Sequence, residues 1–151
     1  MISVATKSKK MVSVLVVEDD ADDFIFLQEI LKSCCEKSSI QWVQDGDQAV
    51  DYLFHRGEYQ DQVKYPNPDL IFLDIRVPRK NGLELAKIIK EDPDLKKHPT
   101  IMLTTSSSSV DVLHAYENGA NNYLKKPEGP KEIEQFKAAI CLFWSTIVLY
   151  P

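Results

Sequence analysis

Cysteine is scarce in this sequence, and its placement argues against two common kinds of small protein. The 151 residues contain only Cys34, Cys35 and Cys141. An odd count with two adjacent cysteines is not a disulfide framework, and no spacing resembles the paired ligands of a zinc site. We therefore predict free thiols in a reducing cytoplasm.

Long apolar runs and an excess of positive charge are also missing. No segment reaches the roughly 18 apolar residues of a membrane span, although residues 138–150 come closest. The apolar run at residues 12–17 is too short for a signal peptide and stops at three acids. A formal net charge of -5 argues against a nucleic-acid partner, because such proteins need a basic face. These absences predict a cytoplasmic protein with neither a membrane nor a nucleic-acid partner.

Two further signals of enzyme chemistry are lacking. The few glycines form no GxGxxG fingerprint, so a nucleotide cofactor is unsupported. The histidines at positions 55, 98 and 114 are scattered, and nothing in the pattern pairs them with a nucleophilic Ser or Cys. We interpret them as surface or helix-end residues.

What the sequence does contain is a regular alternation of two kinds of segment. The length suits one domain, which we place at residues 12–151 behind a flexible arm at residues 1–11. Short β-branched runs predict strands, and segments with helical periodicity separate them. The strands are expected at residues 12–17, 40–43, 70–73, 100–103 and 123–124, with helices near residues 24–34, 47–55, 82–91, 110–118 and 133–147.

This alternation predicts the fold class. Strands that alternate with helices are parallel and are joined by right-handed crossovers. The third and fourth strands are nearly continuous apolar runs, as expected when helices cover both faces of a sheet. We predict an α/β three-layer doubly wound domain, with a five-stranded parallel sheet in the flavodoxin-like order 2-1-3-4-5 and five helices.

Polar side chains follow four of these strands. Glu18 and Asp19 follow the first, Asp74 the third, Thr104 the fourth and Lys126 the fifth. Taken singly, each has an ordinary explanation as a turn residue, a helix cap or a solvated charge. Together, the carboxylates would repel one another unless a cation lay between them. Mg²⁺ suits a site that offers a few carboxylates together with waters and phosphate oxygens. A lysine that faces this site would supply a second positive charge where phosphoryl oxygens would lie.

The motifs at these strand ends, VLVVEDD, DLIFLDIRVPRKNG, LTTS and GANNYLKKP, resemble the response regulator receiver family along essentially the whole domain. The resemblance implies a phosphoacceptor signalling domain of a two-component system that promotes its own phosphotransfer and dephosphorylation, and not a conventional enzyme. It implies that Asp74 is the phosphoacceptor, that Lys126 is the invariant lysine, and that Thr104 and Tyr123 are the switch residues. It also implies that Asp19, Asp74 and the backbone carbonyl of Arg76 hold Mg²⁺, while Glu18 acts largely through water.

Longer segments are similar to a narrower group within that family. The loop GEYQDQVKYPNPDL, the segment EDPDLKKHPTIMLTTS and the ending FWSTIVLYP resemble single-domain response regulators of bacterial and cyanobacterial phytochromes. This likeness implies a phytochrome-type histidine kinase as the phosphoryl donor and another protein as the downstream partner. The apolar residues 138–150 independently predict a homodimer joined through the C-terminal helix and tail, the alternative being a tail that folds back over the protein's own fifth strand.

Other functions stay open at this point. An Asp-based phosphatase commonly carries a second Asp two residues after the nucleophile, where this chain has Arg76. A flavodoxin-type electron carrier would need a phosphate-binding loop where this chain has three acids. A degenerate receiver could act as a binding module without phosphorylation. Arg76 and Ser106 occupy the two positions that tune the lifetime of the phosphorylated state in the family. The resemblance therefore does not imply a lifetime for the phosphorylated state of this protein.

Overall fold

The computed structural model describes residues 11–34, 37–105 and 122–149, and for residues 122 and 143–149 it describes the backbone only. Within these ranges the chain forms five strands and four α-helices. The strands are β1 (Val12–Val17), β2 (Ser38–Val43), β3 (Leu70–Asp74), β4 (Thr100–Thr104) and β5 (Asn122–Lys125). The helices are α1 (Ala21–Cys34), α2 (Gly46–Leu53), α3 (Gly82–Glu91) and α4 (Pro130–Leu149). The helix predicted at residues 110–118 lies outside the described residues.

The five strands form one parallel sheet in the order β2-β1-β3-β4-β5, which confirms the predicted topology. β1 lies inside the sheet between β2 and β3, and all six of its residues are apolar or small and buried. A strand with two apolar faces needs a helical layer on each side. The sheet has those two layers.

Successive side chains of the central strands contribute to two separate cores. Leu15 and Ile71 point to the face that α2 and α3 cover, where Tyr52 and Leu85 are buried. On the opposite face lie residues of β1, β3, α1 and α4: Val14, Val16, Leu70, Phe72, Phe24, Leu27, Phe136 and Ile140. Helices α1 and α4 therefore share one side of the sheet.

Local side chains set the first turns of the helices that follow the strands. The Asp20 carboxylate accepts a hydrogen bond from the Asp23 N–H at 3.0 Å, at the start of α1. Asp45 and Asn81 cap α2 and α3 in the same manner. Such caps satisfy N–H groups that have no partner within the helix.

The prediction of free thiols is wrong for two of the three cysteines. Cys34 and Cys141 are joined by a disulfide with their Cα atoms 5.2 Å apart. Cys34 is the last residue of α1, and Cys141 lies in α4 on the same side of the sheet. A count of cysteines could not reveal this, because the pair is 107 residues apart in sequence and only the packing of the two helices brings it together.

In the part of the chain that the structure describes, no helix combines the length and the apolar character that crossing a bilayer demands.

Candidate functional site

The predicted site residues meet at the carboxyl edge of the sheet. Asp74 and Thr104 are the last residues of β3 and β4, and Glu18 directly follows β1. Lys126 directly follows β5, and its N–H donates to the Thr104 carbonyl oxygen at 2.7 Å. Parallel strands end at one edge, so residues distant in sequence become neighbours there. This is the edge where doubly wound folds bind ligands.

Lys126 lies at the centre of the cluster. Its Nζ is 2.5 Å from Glu18 Oε1, 2.8 Å from Asp74 Oδ2 and 2.8 Å from Asp23 Oδ2. The Lys126 side chain is 14% exposed, and the side chains of Glu18 and Asp74 are 4% and 9% exposed. The ammonium group is thus held largely away from water by three carboxylates.

A second grouping of carboxylates overlaps the first. Glu18, Asp19 and Asp74 each present an oxygen within 4.8 Å of the others. Glu18 and Asp74 are buried and Asp19 is exposed, so the group opens toward solvent on the Asp19 side. The Arg76 N–H donates to Asp74 Oδ1 at 3.0 Å, which places the backbone of residue 76 beside the phosphoacceptor candidate. The Arg76 side chain itself is exposed.

The two buried carboxyl groups titrate in opposite directions. Burial, followed by the hydrogen bond with Asp74, raises the pKa of Glu18 to about 8. Burial also works to raise the pKa of Asp74, but the hydrogen bonds with Glu18 and Lys126 and that from the Arg76 N–H outweigh it and hold the pKa below its ordinary value. Asp74 is therefore the carboxyl group that stays ionised at neutral pH. Burial acts to lower the pKa of Lys126, but its bonds to Asp23, Asp74 and Glu18 raise it overall.

This donor set fits a hard divalent cation. Three carboxylates with oxygens this close carry more negative charge than one ammonium group balances. All the donors are oxygens, which favour Mg²⁺ or Mn²⁺ over softer metals.

Thr104 and Tyr123 lie near the cluster but in different surroundings. Thr104 is 1% exposed at the end of β4, next to β3 in the sheet. Tyr123, in β5, is half-buried and packs against the core on the α2 and α3 face. Ser106 lies outside the described residues. The structure thus brings Glu18, Asp19, Asp74 and Lys126 together, with Thr104 one strand away and Tyr123 further out.

Sequence reasoning missed Asp23 and Trp42. Asp23 is in the first turn of α1, where acidic residues are common because they favour the helix N-terminus. It therefore gave no signal of its contact with Lys126. Trp42 in β2 donates from its indole Nε1 to the Glu18 carbonyl oxygen at 2.6 Å. Only the pairing of β1 with β2 reveals that contact.

Comparison with known proteins identifies the family. The profile of the response regulator receiver domain matches residues 14–137. The chain belongs to the response regulator receiver family. It is also 37% identical over 138 residues to the response regulator Rcp1 of Synechocystis sp. (strain ATCC 27184 / PCC 6803 / Kazusa), covering 91% of this chain and 92% of Rcp1.

Solved structures of family members agree with the fold. A Mn²⁺-bound form of Rcp1 superposes with a TM-score of 0.79 at 37% identity, covering 88% of this chain and 94% of that chain. The phosphorylated cyanobacterial phytochrome response regulator RcpA superposes with a TM-score of 0.81 at 34% identity, covering 89% of this chain and 94% of that chain. The receiver domain described here is thus related to phytochrome response regulators.

Proposed function

We propose that this receiver domain is a single-domain response regulator that accepts a phosphoryl group on Asp74 in a Mg²⁺-dependent reaction. The observation that carries the proposal is the position of Asp74. Its carboxylate lies within 4.8 Å of two further carboxylates and 2.8 Å from the Lys126 ammonium, and its pKa is held below the ordinary value although it is buried. An ionised carboxylate beside cationic groups is a nucleophile poised for phosphoryl transfer.

The transfer step needs few changes in the protein. An Asp74 carboxylate oxygen forms a bond to phosphorus, and the phosphorus–nitrogen bond of the donor phosphohistidine breaks. The electron pair of that bond leaves with the imidazole nitrogen, so no external oxidant or base is consumed. Asp74 needs no prior deprotonation because it is already ionised. Lys126 is placed to donate to a phosphoryl oxygen, which stabilises the charge of the transferring group.

Asp19, Asp74 and the Arg76 carbonyl would hold Mg²⁺, and Glu18 would contribute through water. Bound there, the ion would supply positive charge that screens Asp74 from the phosphoryl oxygens. Asp19 suits a ligand role because it is exposed at the open side of the group. The short bond from Lys126 to Glu18 suits an indirect role for Glu18.

The phosphorylated state would be communicated through Thr104 and Tyr123. Thr104 is buried at the end of β4, next to the strand that ends in Asp74, and we propose that its hydroxyl bonds the new phosphoryl group. A bond between them would draw the end of β4 toward β3. Tyr123 pairs with Met102 of β4 and is half-buried, so it would respond to that movement.

The proposed phosphoryl donor is a phytochrome-type histidine kinase in the cytoplasm, and the proposed receiver of the signal is another protein. The likeness to Rcp1 and to RcpA, the latter a phytochrome response regulator solved in its phosphorylated form, supports this choice.

Radiolabelled phosphotransfer tests the proposal. A phytochrome-type histidine kinase is labelled on its histidine, freed of nucleotide and mixed with the response regulator and Mg²⁺. We expect the label to move to the wild-type protein and not to Asp74→Asn. A histidine kinase from an unrelated pathway serves as the control for partner choice. No transfer from any kinase would favour the alternative, a degenerate receiver that acts only by binding.

A further inference from the structure

The Lys126 ammonium has a third carboxylate partner that the proposed phosphotransfer does not use. An ammonium group has three N–H donors. Here Glu18, Asp74 and Asp23 take one each. Asp23 differs from the other two because it comes from helix α1 and is outside the group formed by Glu18, Asp19 and Asp74. Asp23 therefore contacts the lysine without being placed to bind the metal.

A cavity lies beside Lys126, so the contact with Asp23 limits where the lysine side chain can move. This cavity of about 180 Å³ lies between α1, α4 and the end of β4, and its lining includes Lys126, Asp23, Phe26, Leu103 and Phe136. A long flexible side chain next to open space has several rotamers available, and holding it in one costs entropy. The bond to Asp23 restricts the ammonium to the side of Asp74 on which α1 lies.

We propose that Asp23 is a positioning residue that holds Lys126 for phosphotransfer to Asp74. When Asp74 gains a phosphoryl group, its carboxylate oxygen becomes part of an acyl phosphate whose negative charge lies on the phosphoryl oxygens, and the N–H that faced Asp74 is free to bond one of them. The bonds to Glu18 and Asp23 hold the nitrogen in place during this exchange. This role rests on the proposed function, because it has no purpose unless Asp74 is the acceptor.

Helix α1 provides a matched control. Asp22 precedes Asp23 in the same first turn, carries the same charge and is exposed. Any general effect of an acid at the helix N-terminus applies to both residues. An effect that acts through Lys126 applies to Asp23 alone, because the three N–H groups of the ammonium bond Glu18, Asp74 and Asp23 and leave none for Asp22.

The test compares labelling rates at saturating Mg²⁺ with a small acyl phosphate as donor. Asp23→Asn is expected to lower the rate about fivefold, the scale of a partly exposed ion pair. Asp23→Glu should recover most of it, and Asp22→Asn should match wild type. The apparent Mg²⁺ affinity should be unchanged in all three variants. Equal rates for Asp23→Asn and wild type would overturn the proposal while leaving Asp74 as acceptor; an unlabelled wild type would instead overturn the proposed function.

A second measurement separates positioning from a change in helix stability and does not depend on activity. The Lys126 ammonium resonance in ¹⁵N spectra reports protection of its hydrogens from exchange with water. Asp23→Asn should shift this resonance and speed its exchange, and Asp22→Asn should not. A third test does measure labelling: in a Lys126→Met background, Asp23→Asn should cause no further loss of it. An unshifted resonance, or a full additional loss in that background, would contradict a role through Lys126.

Discussion

The indole Nε1 of Trp42 donates a hydrogen bond to the Glu18 backbone carbonyl oxygen at 2.6 Å. The same ring stacks on Phe24 of α1, with centroids 4.4 Å apart and planes 4° from parallel. Trp42 therefore contacts both the acidic loop after β1 and the helix that carries Asp23. Because indole emission depends on its surroundings, Trp42 is a built-in reporter of events at the site.

We predict that this reporter separates the metal ligand from the phosphate ligand. In a Trp144→Phe background, which leaves Trp42 as the sole tryptophan, Mg²⁺ should change the emission in a saturable manner. Asp19→Ala should weaken the apparent affinity about tenfold or more, because an anionic ligand is lost. Lys126→Ala should leave the affinity largely intact, because the lysine contributes positive charge and no ligand atom.

Asp22→Ala is the control for net charge in this titration, since it removes an exposed acid from the same segment. A Lys126→Ala variant that lost all affinity would contradict the division of roles. So would an Asp19→Ala variant that bound Mg²⁺ as well as wild type.

Gly82→Ala should disturb the end of β3. A Cβ at Gly82 would lie 2.5 Å from the Asp74 carbonyl oxygen and 2.8 Å from Ile75 Cα, and the backbone cannot easily yield. We expect a loss of about 1–3 kcal/mol in the free energy of unfolding by urea. Gly129→Ala is the control, because a Cβ there meets nothing within 4 Å. Equal stability of Gly82→Ala and wild type would show that α3 does not pack against the Asp74 backbone as described.

The Cys34–Cys141 disulfide should stabilise the fold substantially. It closes a loop between residues 107 positions apart, for which chain-entropy reasoning gives about 4–5 kcal/mol. Urea unfolding with and without a reductant measures the difference, and Cys34→Ser should abolish it. Cys35→Ser should leave it in place. Titration of three reactive thiols in the unreduced, unfolded protein would rule the disulfide out.

The C-terminal helix is predicted to form a homodimer. Leu142 is 73% exposed in α4 and begins the last apolar stretch of the sequence, and exposed apolar patches often mark interfaces. Light scattering at micromolar concentration should report a dimer for wild type and a monomer for Leu142→Asp or for a chain ending at residue 143. Val63→Asp, at a loop position that is 93% exposed, should remain dimeric. A monomeric wild type would refute this assembly.

Much of the fold could be predicted from the sequence because its signals are local and mutually consistent. The bounds predicted for β1 and α3 agree with the structure. The apolar run of β1 ends before three acids, and α3 begins at Gly82, so both segments are clearly marked in the sequence. The alternation and the crossover rule predict a doubly wound parallel sheet, and the flavodoxin-like order is one of its common forms. Because parallel strands end at one edge, the meeting of Glu18, Asp74 and Lys126 could also be predicted.

What the sequence could not reveal depends on how helices pack against one another. The Cys34–Cys141 bond requires α1 and α4 to lie side by side, which no local pattern specifies. Asp23 is indistinguishable in sequence from an ordinary acid in a first helical turn, and only the direction of α1 brings it to Lys126. β2 begins at Ser38, two residues before the predicted start, because pairing with Val12 extends the strand through two serines.

The central claim, that Asp74 accepts a phosphoryl group, is tested most directly by intact-mass measurement. Wild type and Asp74→Asn are incubated with Mg²⁺ and a small acyl phosphate, and their masses are compared with samples that contain a chelator. We expect wild type to gain the mass of one phosphoryl group only when Mg²⁺ is present, and Asp74→Asn to gain none. Equal labelling of Asp74→Asn would place the acceptor elsewhere and contradict the account.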